Sequence, residues 1–258
     1  MPRLHVVFLA VCIAFGLSAS PLAAFAAEPP LRVAVSGPYP PFAEIDEAGQ
    51  VYGFDVDIAR ALCAELGRDC EVVNYDFDAI IPAIVSGELD FAVAGMGASE
   101  ERLQFVDFTD RYYRSASIFI ERLGTVPEIS PEALKGLRIG AQESSLQAEY
   151  LAMTYGDSIT VVTNPSYDAL YAMLKNSEVD LVFSDGLPGY TYLMSPEGEG
   201  LETIGEAIEP GGQRDWACVA VSKAQPELRA AINEAIQSLR RSGEYDKINR
   251  EYFDFNVY

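Results

Sequence analysis

The seventeen residues from Asp78, DAIIPAIVSGELDFAVA, recur from Asp168 as DALYAMLKNSEVDLVFS, without a gap and with Asp, Ala, Glu and Asp at matching positions. Each copy predicts a short amphipathic helix opened by an Asp cap, a small or polar break at Gly87 or Ser177, and an apolar run suited to a buried parallel strand. The segment LRVAV at Leu31 has its own echo in LRIGA at Leu137. A chain that says the same βα unit twice is expected to build two similar α/β lobes rather than one long sheet, and two facing lobes enclose a cleft. Ligands of open α/β sheets sit beyond the carboxyl ends of the strands. Those ends are Gly95 after the first copy and Asp185 after the second, so the two positions are expected to oppose each other.

The chain begins with Arg3, an apolar run from Val6 to Leu17, and small residues ending in Ala24-Phe25-Ala26, the pattern of a cleaved secretory signal. Residues 1–26 are therefore read as a signal peptide, with Cys12 discarded in it because Val11 precedes it where a lipid-attachment site needs a small residue. The apolar run is shorter than the roughly 20 residues that cross a bilayer. Loss of the leader removes one arginine and no acid, so the formal charge of −21 becomes −22. Nucleic acid is excluded as a partner by that charge, which belongs to a solvated acidic surface.

The one histidine, His5, lies in the leader, which excludes a Ser-His-Asp triad, a histidine base and a histidine-ligated zinc from the exported chain. No metal or cofactor is expected. Of the cysteines that remain, Cys63 and Cys70 bracket AELGRD, where a helix ends at Gly67 and a strand begins at Cys70. In an oxidising compartment such a pair forms a disulfide that clamps the helix end, contributing at most about 2–3 kcal/mol for so small a loop. Cys218, in WACVAVS, is read as a small buried apolar residue.

The spacing places lobe one at residues 27–115, lobe two at 116–211, and a return to lobe one at 212–258, with hinges near Tyr113–Ser117 and Pro210–Asp215. Apolar residues at Leu228, Ile232, Ile236 and Leu239 mark a helix in the returning tail, expected to pack on lobe one.

Two charged residues stand out. Arg102 falls in the first turn of a helix expected to be capped by Ser99, where the helix dipole disfavours a cation. Beside the glycine-rich GMG loop it suits a clamp for a carboxylate, which a guanidinium holds with two parallel bonds. Asp185, across the cleft, suits an ammonium. Opposite poles on opposite lobes fit a zwitterion, an α-amino acid. Tyr39 and Phe77 are loop aromatics placed to stack on a ligand. Ser145, with Ser144, Leu146 and Gln147 at a helix start, adds donors for the carboxylate. Asp55 and Asp57, near the start of a helix, read as caps and solvated charges.

The segments GPYPPF, GFDVDIARALC, DAIIPAIVSGELDFAVAGMGASEERLQFVDFT, LRIGAQESSLQ, VDLVFSDG and GEYDKINREYFDFNVY resemble the periplasmic substrate-binding proteins of polar amino-acid ABC transporters, closest in style to the lysine/arginine/ornithine and histidine binders. The resemblance implies the periplasmic-binding-protein fold, two doubly wound α/β lobes on a two-strand hinge. It implies Arg102 and the Ser145 region on the ligand carboxylate, Asp185 and the Gly95 carbonyl on the ammonium, and Tyr39 and Phe77 against the side chain. Gly97 stands where such proteins usually carry a hydroxyl, Leu146 where a threonine often occurs, and Ser36 where binders of cationic ligands carry an Asp. Asp55 is then left to receive a cationic tail, with Phe77 stacking on a guanidinium. The implied protein is a periplasmic monomer, not an enzyme, that delivers a basic or polar amino acid to a permease and its ATPase. Alternatives are an opine binder, or an exported dehydratase or lyase using a carboxyl such as Glu143.

Overall fold

The computed structural model describes residues 28–209 and 216–258; the expected leader and the expected second hinge at 210–215 lie outside the described residues. Lobe one runs β1 (Leu31–Val35), a hairpin of β2 (Glu44–Ile45) and β3 (Val51–Tyr52), α1 (Phe54–Leu66), β4 (Cys70–Asn74), α2 (Ile80–Ser86), β5 (Phe91–Met96) and β6 (Val106–Tyr113). The chain then crosses to β7 (Ser117–Arg122), α3 (Pro131–Leu134), β8 (Arg138–Gln142), α4 (Leu146–Tyr155), β9 (Thr160–Asn164), α5 (Tyr167–Lys175), β10 (Leu181–Asp185), α6 (Gly186–Met194) and β11 (Leu201–Ile208). It returns through β12 (Ala217–Ser222), α7 (Pro226–Ser242) and α8 (Glu244–Tyr252).

The two sheets have one topology. Lobe one orders its strands β4-β1-β5-β12-β6 and lobe two β9-β8-β10-β7-β11. In each, the first three strands are parallel and the last two antiparallel to their neighbours. The fourth strand of each sheet follows a crossing from the other lobe, so the lobes share two connections.

The sequence repeat has a structural reason at each recurring position. Gly87 and Ser177 both adopt the left-handed conformation, with φ of 78° and 62°, which ends α2 and α5. Glu88 and Glu178 then bond back through their N–H groups to Ala83 and Met173, at 2.9 and 2.8 Å, closing each helix end. The recurring Asp90 and Asp180 accept from the backbone N–H of Arg32 and Arg138, at 2.8 and 2.9 Å. Each acid thus ties its own copy to the equivalent parallel strand of its lobe, β1 or β8. Asp78 and Asp168, in contrast, do not cap. Ser166 caps α5, its hydroxyl accepting from Ala169 N–H, and Asp168 sits in the first turn, where the dipole favours an acid. Asp78 sits within a 3-10 turn, Phe77–Ala79, that leads into α2.

A disulfide joins Cys63 in α1 to Cys70 at the start of β4. Between them Gly67, at φ 63°, turns the helix end. The apolar faces of α1, α7 and α8 cover one side of the first sheet, around Phe54, Phe91, Tyr112 and Val219, and α2 covers the other. In lobe two, α5 packs on one face and α4 on the other, around Phe119 and Phe183. Cys218 is buried and unpaired, and burial pushes its thiol up to about 12, so it stays protonated and inert. No helix among the described residues is long and apolar enough to cross a membrane.

Candidate functional site

The carboxyl ends of β5 and β10 meet at a cavity of about 240 Å3 between the lobes, lined by Gly95 from one side and Asp185 from the other. Its size is below the roughly 300–1,000 Å3 of sites for drug-sized ligands and suits a small solute. A larger hollow of about 530 Å3 lies on the far side of Arg102, with Ile81, Val85, Met96 and Phe105 in its wall. The smaller cavity is the candidate, because it lies beyond the carboxyl ends of strands from both lobes and sets a guanidinium of one lobe, Arg102, against a carboxyl of the other, Asp185.

Arg102 occupies a single 3-10 turn, Arg102–Gln104, rather than the helix expected there. The Ser99 hydroxyl still accepts from the Arg102 N–H, at 3.2 Å. The turn leaves Arg102 9 % exposed, with its guanidinium 5.3 Å from the centre of the Phe77 ring. Its Nη1 donates to the Gly97 carbonyl at 2.8 Å, and its Nη2 reaches lobe two to donate to the Ser144 carbonyl at 2.7 Å. Ser144 aims that carbonyl from a left-handed backbone, φ 57°. Burial lowers the guanidinium to about 10, with Glu149 and Glu101 opposing, so it remains a cation at neutral pH. Two of its five donors are spent on carbonyls; the arrangement leaves others for an anion.

Asp185 ends β10 and caps α6, accepting from Leu187 N–H at 3.1 Å and from the Ser115 hydroxyl at 2.5 Å. Burial raises its carboxyl, and the bonds from Ser115, Leu187 and the Tyr39 hydroxyl oppose the rise. Tyr39 belongs to both lobes: its ring stacks on Phe42 at 5.3 Å and meets Tyr167 of lobe two at 5.7 Å. At the start of α4, the Ser145 hydroxyl accepts from Ala148 N–H and donates to the Gln142 carbonyl. Ser36, Tyr39, Phe77, Gly95, Gly97, Arg102, Ser145, Leu146 and Asp185 all line the cavity.

Asp55 does not line it, and it is not a solvated charge. The first turn of α1 is tied down by bonds from the Phe54 and Asp55 N–H groups to the Pro41 and Phe42 carbonyls, at 3.0 and 2.9 Å. The side chain is thereby turned inward, fully buried, to accept from the Tyr112 hydroxyl at 2.8 Å. Asp57 is the more accessible acid and pairs with Arg60 and the Tyr252 hydroxyl.

Asp76, Ser115, Gln142 and Tyr167 also line the cavity and were not singled out from the sequence. The repeat carried a signal for two of the positions: extended two residues backward, it aligns Asp76 and Phe77 with Ser166 and Tyr167, and all four line the cavity. The lining therefore holds two carboxylates, Asp76 and Asp185, against one guanidinium. Among the described residues no group of three or more His, Cys, Asp or Glu is placed to hold a metal.

The pattern of the bacterial extracellular solute-binding proteins, family 3, matches residues 31–255. The lysine/arginine/ornithine-binding periplasmic protein of Escherichia coli is 30% identical over 253 residues, 97% of each chain. The L-arginine-binding protein of Pseudomonas aeruginosa is 32% identical over 253 residues, 97% of this chain and 98% of its own. An ancestral arginine-binding protein bound to arginine superposes with a TM-score of 0.78 at 33% identity, covering 86% of this chain and 97% of that one. With the topology, the interlobe cavity and these likenesses in agreement, the chain belongs to the bacterial extracellular solute-binding proteins, family 3.

Proposed function

We propose that the protein captures an α-amino acid with a cationic side chain between its lobes, in the periplasm, and delivers it to the permease and ATPase of an ABC transporter. The observation that carries the reading is the charge of the cavity: two carboxylates, one guanidinium. Arg102 takes the ligand carboxylate with donors that its two carbonyl bonds leave free, with donors at the start of α4 assisting. Asp185 and the Gly95 carbonyl take the ammonium. One acid, Asp76, is then left beside Phe77 at the cavity mouth for a cationic tail, and an amino acid of net charge +1 neutralises the site. Asp76 thus supplies a charge that Ser36 lacks, and the arginine- and lysine-binding relatives support the same ligand class. Residues 27–115 with 212–258 form one closing body and 116–211 the other, and the Arg102–Ser144 bond is a contact of the closed form.

Thermal unfolding of the exported chain against the common amino acids, ornithine and opines tests the reading. A ligand at about 100-fold over its Kd stabilises by about 2.7 kcal/mol. The expected result is a shift with arginine, lysine or ornithine that is lost in Asp185→Ala. Asp76→Asn should weaken arginine several-fold and leave glutamine unchanged. A site that prefers neutral amino acids, with Asp76→Asn silent, would overturn the cationic assignment.

A further inference from the structure

Asp55 is the buried acid that ligand contacts leave unused. Its Oδ1 accepts from the Tyr112 hydroxyl at 2.8 Å, and that same hydroxyl accepts from the Gly95 N–H at 2.8 Å. A hydroxyl has one proton, so donation to Asp55 leaves its lone pair for Gly95 and fixes the direction of the whole relay. Gly95 lines the cavity with φ +60°, and this bond holds its N–H in the Ala94–Gly95 peptide, the unit next to the one that carries its carbonyl. The other carboxylate oxygen, Oδ2, is fully buried and has no hydrogen-bond partner.

We propose that Asp55 is a positioning residue of the ligand site: through Tyr112 it orients the Gly95 peptide, and its ionisation is drawn out by the ligand ammonium, so that capture releases a proton. The inference rests on the amino-acid reading given above. The groups facing Asp55 are Tyr112 and Tyr113 of β6, Tyr39 of the loop after β1, Tyr245 of α8 and Asp185 across the cleft. The tyrosines are held neutral by burial, and the one other charge is the Asp185 carboxylate, which opposes a second anion. Burial raises Asp55 to about 7, the Tyr112 bond opposing and Asp185 adding to the rise. A cation bound by Asp185 cancels that repulsion and favours the ionised form. The proton leaves Asp55 Oδ2 for the buffer, and a carboxylate remains beneath Gly95. By linkage, what the ammonium does to the proton, the proton does to the ammonium: affinity falls as pH falls through 7.

Calorimetric titration of the exported chain with L-arginine, lysine, histidine and glutamine, in two buffers of different ionisation heat near neutrality, reads the proton directly. Wild type should show buffer-dependent heat, and its affinity should fall roughly 5- to 10-fold from about pH 8 to about pH 6. Asp55→Asn, which keeps an acceptor for Tyr112, should lose both effects and bind more weakly than wild type above neutrality. Tyr112→Phe should keep the proton release and weaken binding at every pH. Wild-type binding with buffer-independent heat overturns the inference and leaves the amino-acid reading standing. An unchanged pH profile in Asp55→Asn overturns it too, assigning the linkage to Asp185. Absence of heat with every amino acid removes the reading and the inference together.

Discussion

Asp55→Asn should make the unliganded protein more stable at neutral pH, the opposite of what deleting a hydrogen-bonded buried acid usually does. In the unfolded chain Asp55 titrates at its ordinary 3.8, and in the folded protein it holds its proton to about 7. The native state binds the extra proton between those values, so the unfolding free energy falls as pH rises through that window. The contribution is fully present below 3.8 and is lost as pH rises to about 7. At about 1.36 kcal/mol per unit the whole swing is about 4 kcal/mol, and roughly 3 kcal/mol of it lies between about pH 5 and about pH 8. Asn has no proton to lose, and its amide oxygen retains the bond from Tyr112. Many other carboxylates titrate nearby, so the informative quantity is the difference between variant and wild type. Urea unfolding at several pH values, on protein freed of solute by unfolding and refolding, should show that difference moving toward Asn by about 2–3 kcal/mol from acid to mild alkali. A constant difference across the range would refute the argument, because it would mean that Asp55 is ionised in the folded protein throughout.

Replacing both Cys63 and Cys70 by Ser should cost about 2.5 kcal/mol, the loop entropy of so short a closure, and lower the melting temperature by roughly 5–10 °C. No change on thermal scanning would mean that the Gly67 turn, with the Gly67 and Arg68 N–H groups bonded to Ala64 and Cys63, already confines the segment. Gly95→Ala should destabilise by about 1–2 kcal/mol and weaken ligand binding, since a Cβ there lies 2.7 Å from the Tyr113 hydroxyl on a left-handed backbone. That hydroxyl is buried without a partner, so Tyr113→Phe alone should be neutral or stabilising, and it should relieve part of the Gly95→Ala loss in the double variant. A strictly additive double variant, by calorimetry and thermal melts, would show that backbone strain and not the hydroxyl is the obstacle.

The two-lobe topology was legible because a repeat is a statement about packing that needs no other residue to interpret. Gly87 and Ser177 end equivalent helices and Asp90 and Asp180 tie equivalent strands, so each copy carries its own local instructions. Asp185 was legible for a related reason: it ends β10, where topology alone decides what it faces, whereas Arg102 was legible as a cation placed where a helix start disfavours one. Helix starts are different. Whether Asp55 points to water or inward depends on the loop Pro38–Phe42, whose Pro41 and Phe42 carbonyls capture the first turn of α1, and no periodicity within α1 encodes that contact. Asp76 escaped for the opposite reason. It is exposed, and an exposed acid beside an amphipathic helix looks like solvation until the second lobe is brought against it. Both residues are acids whose meaning lies in a partner segment distant in the chain, one behind the cavity wall and one at its mouth. In the proposed reading they divide the electrostatic work: Asp76 would discriminate among ligands by their tails, whereas Asp55, lying out of contact, would act equally on every ligand that brings an ammonium. Variants of the two should therefore separate, Asp76→Asn changing which amino acid binds and Asp55→Asn changing at what pH any of them does.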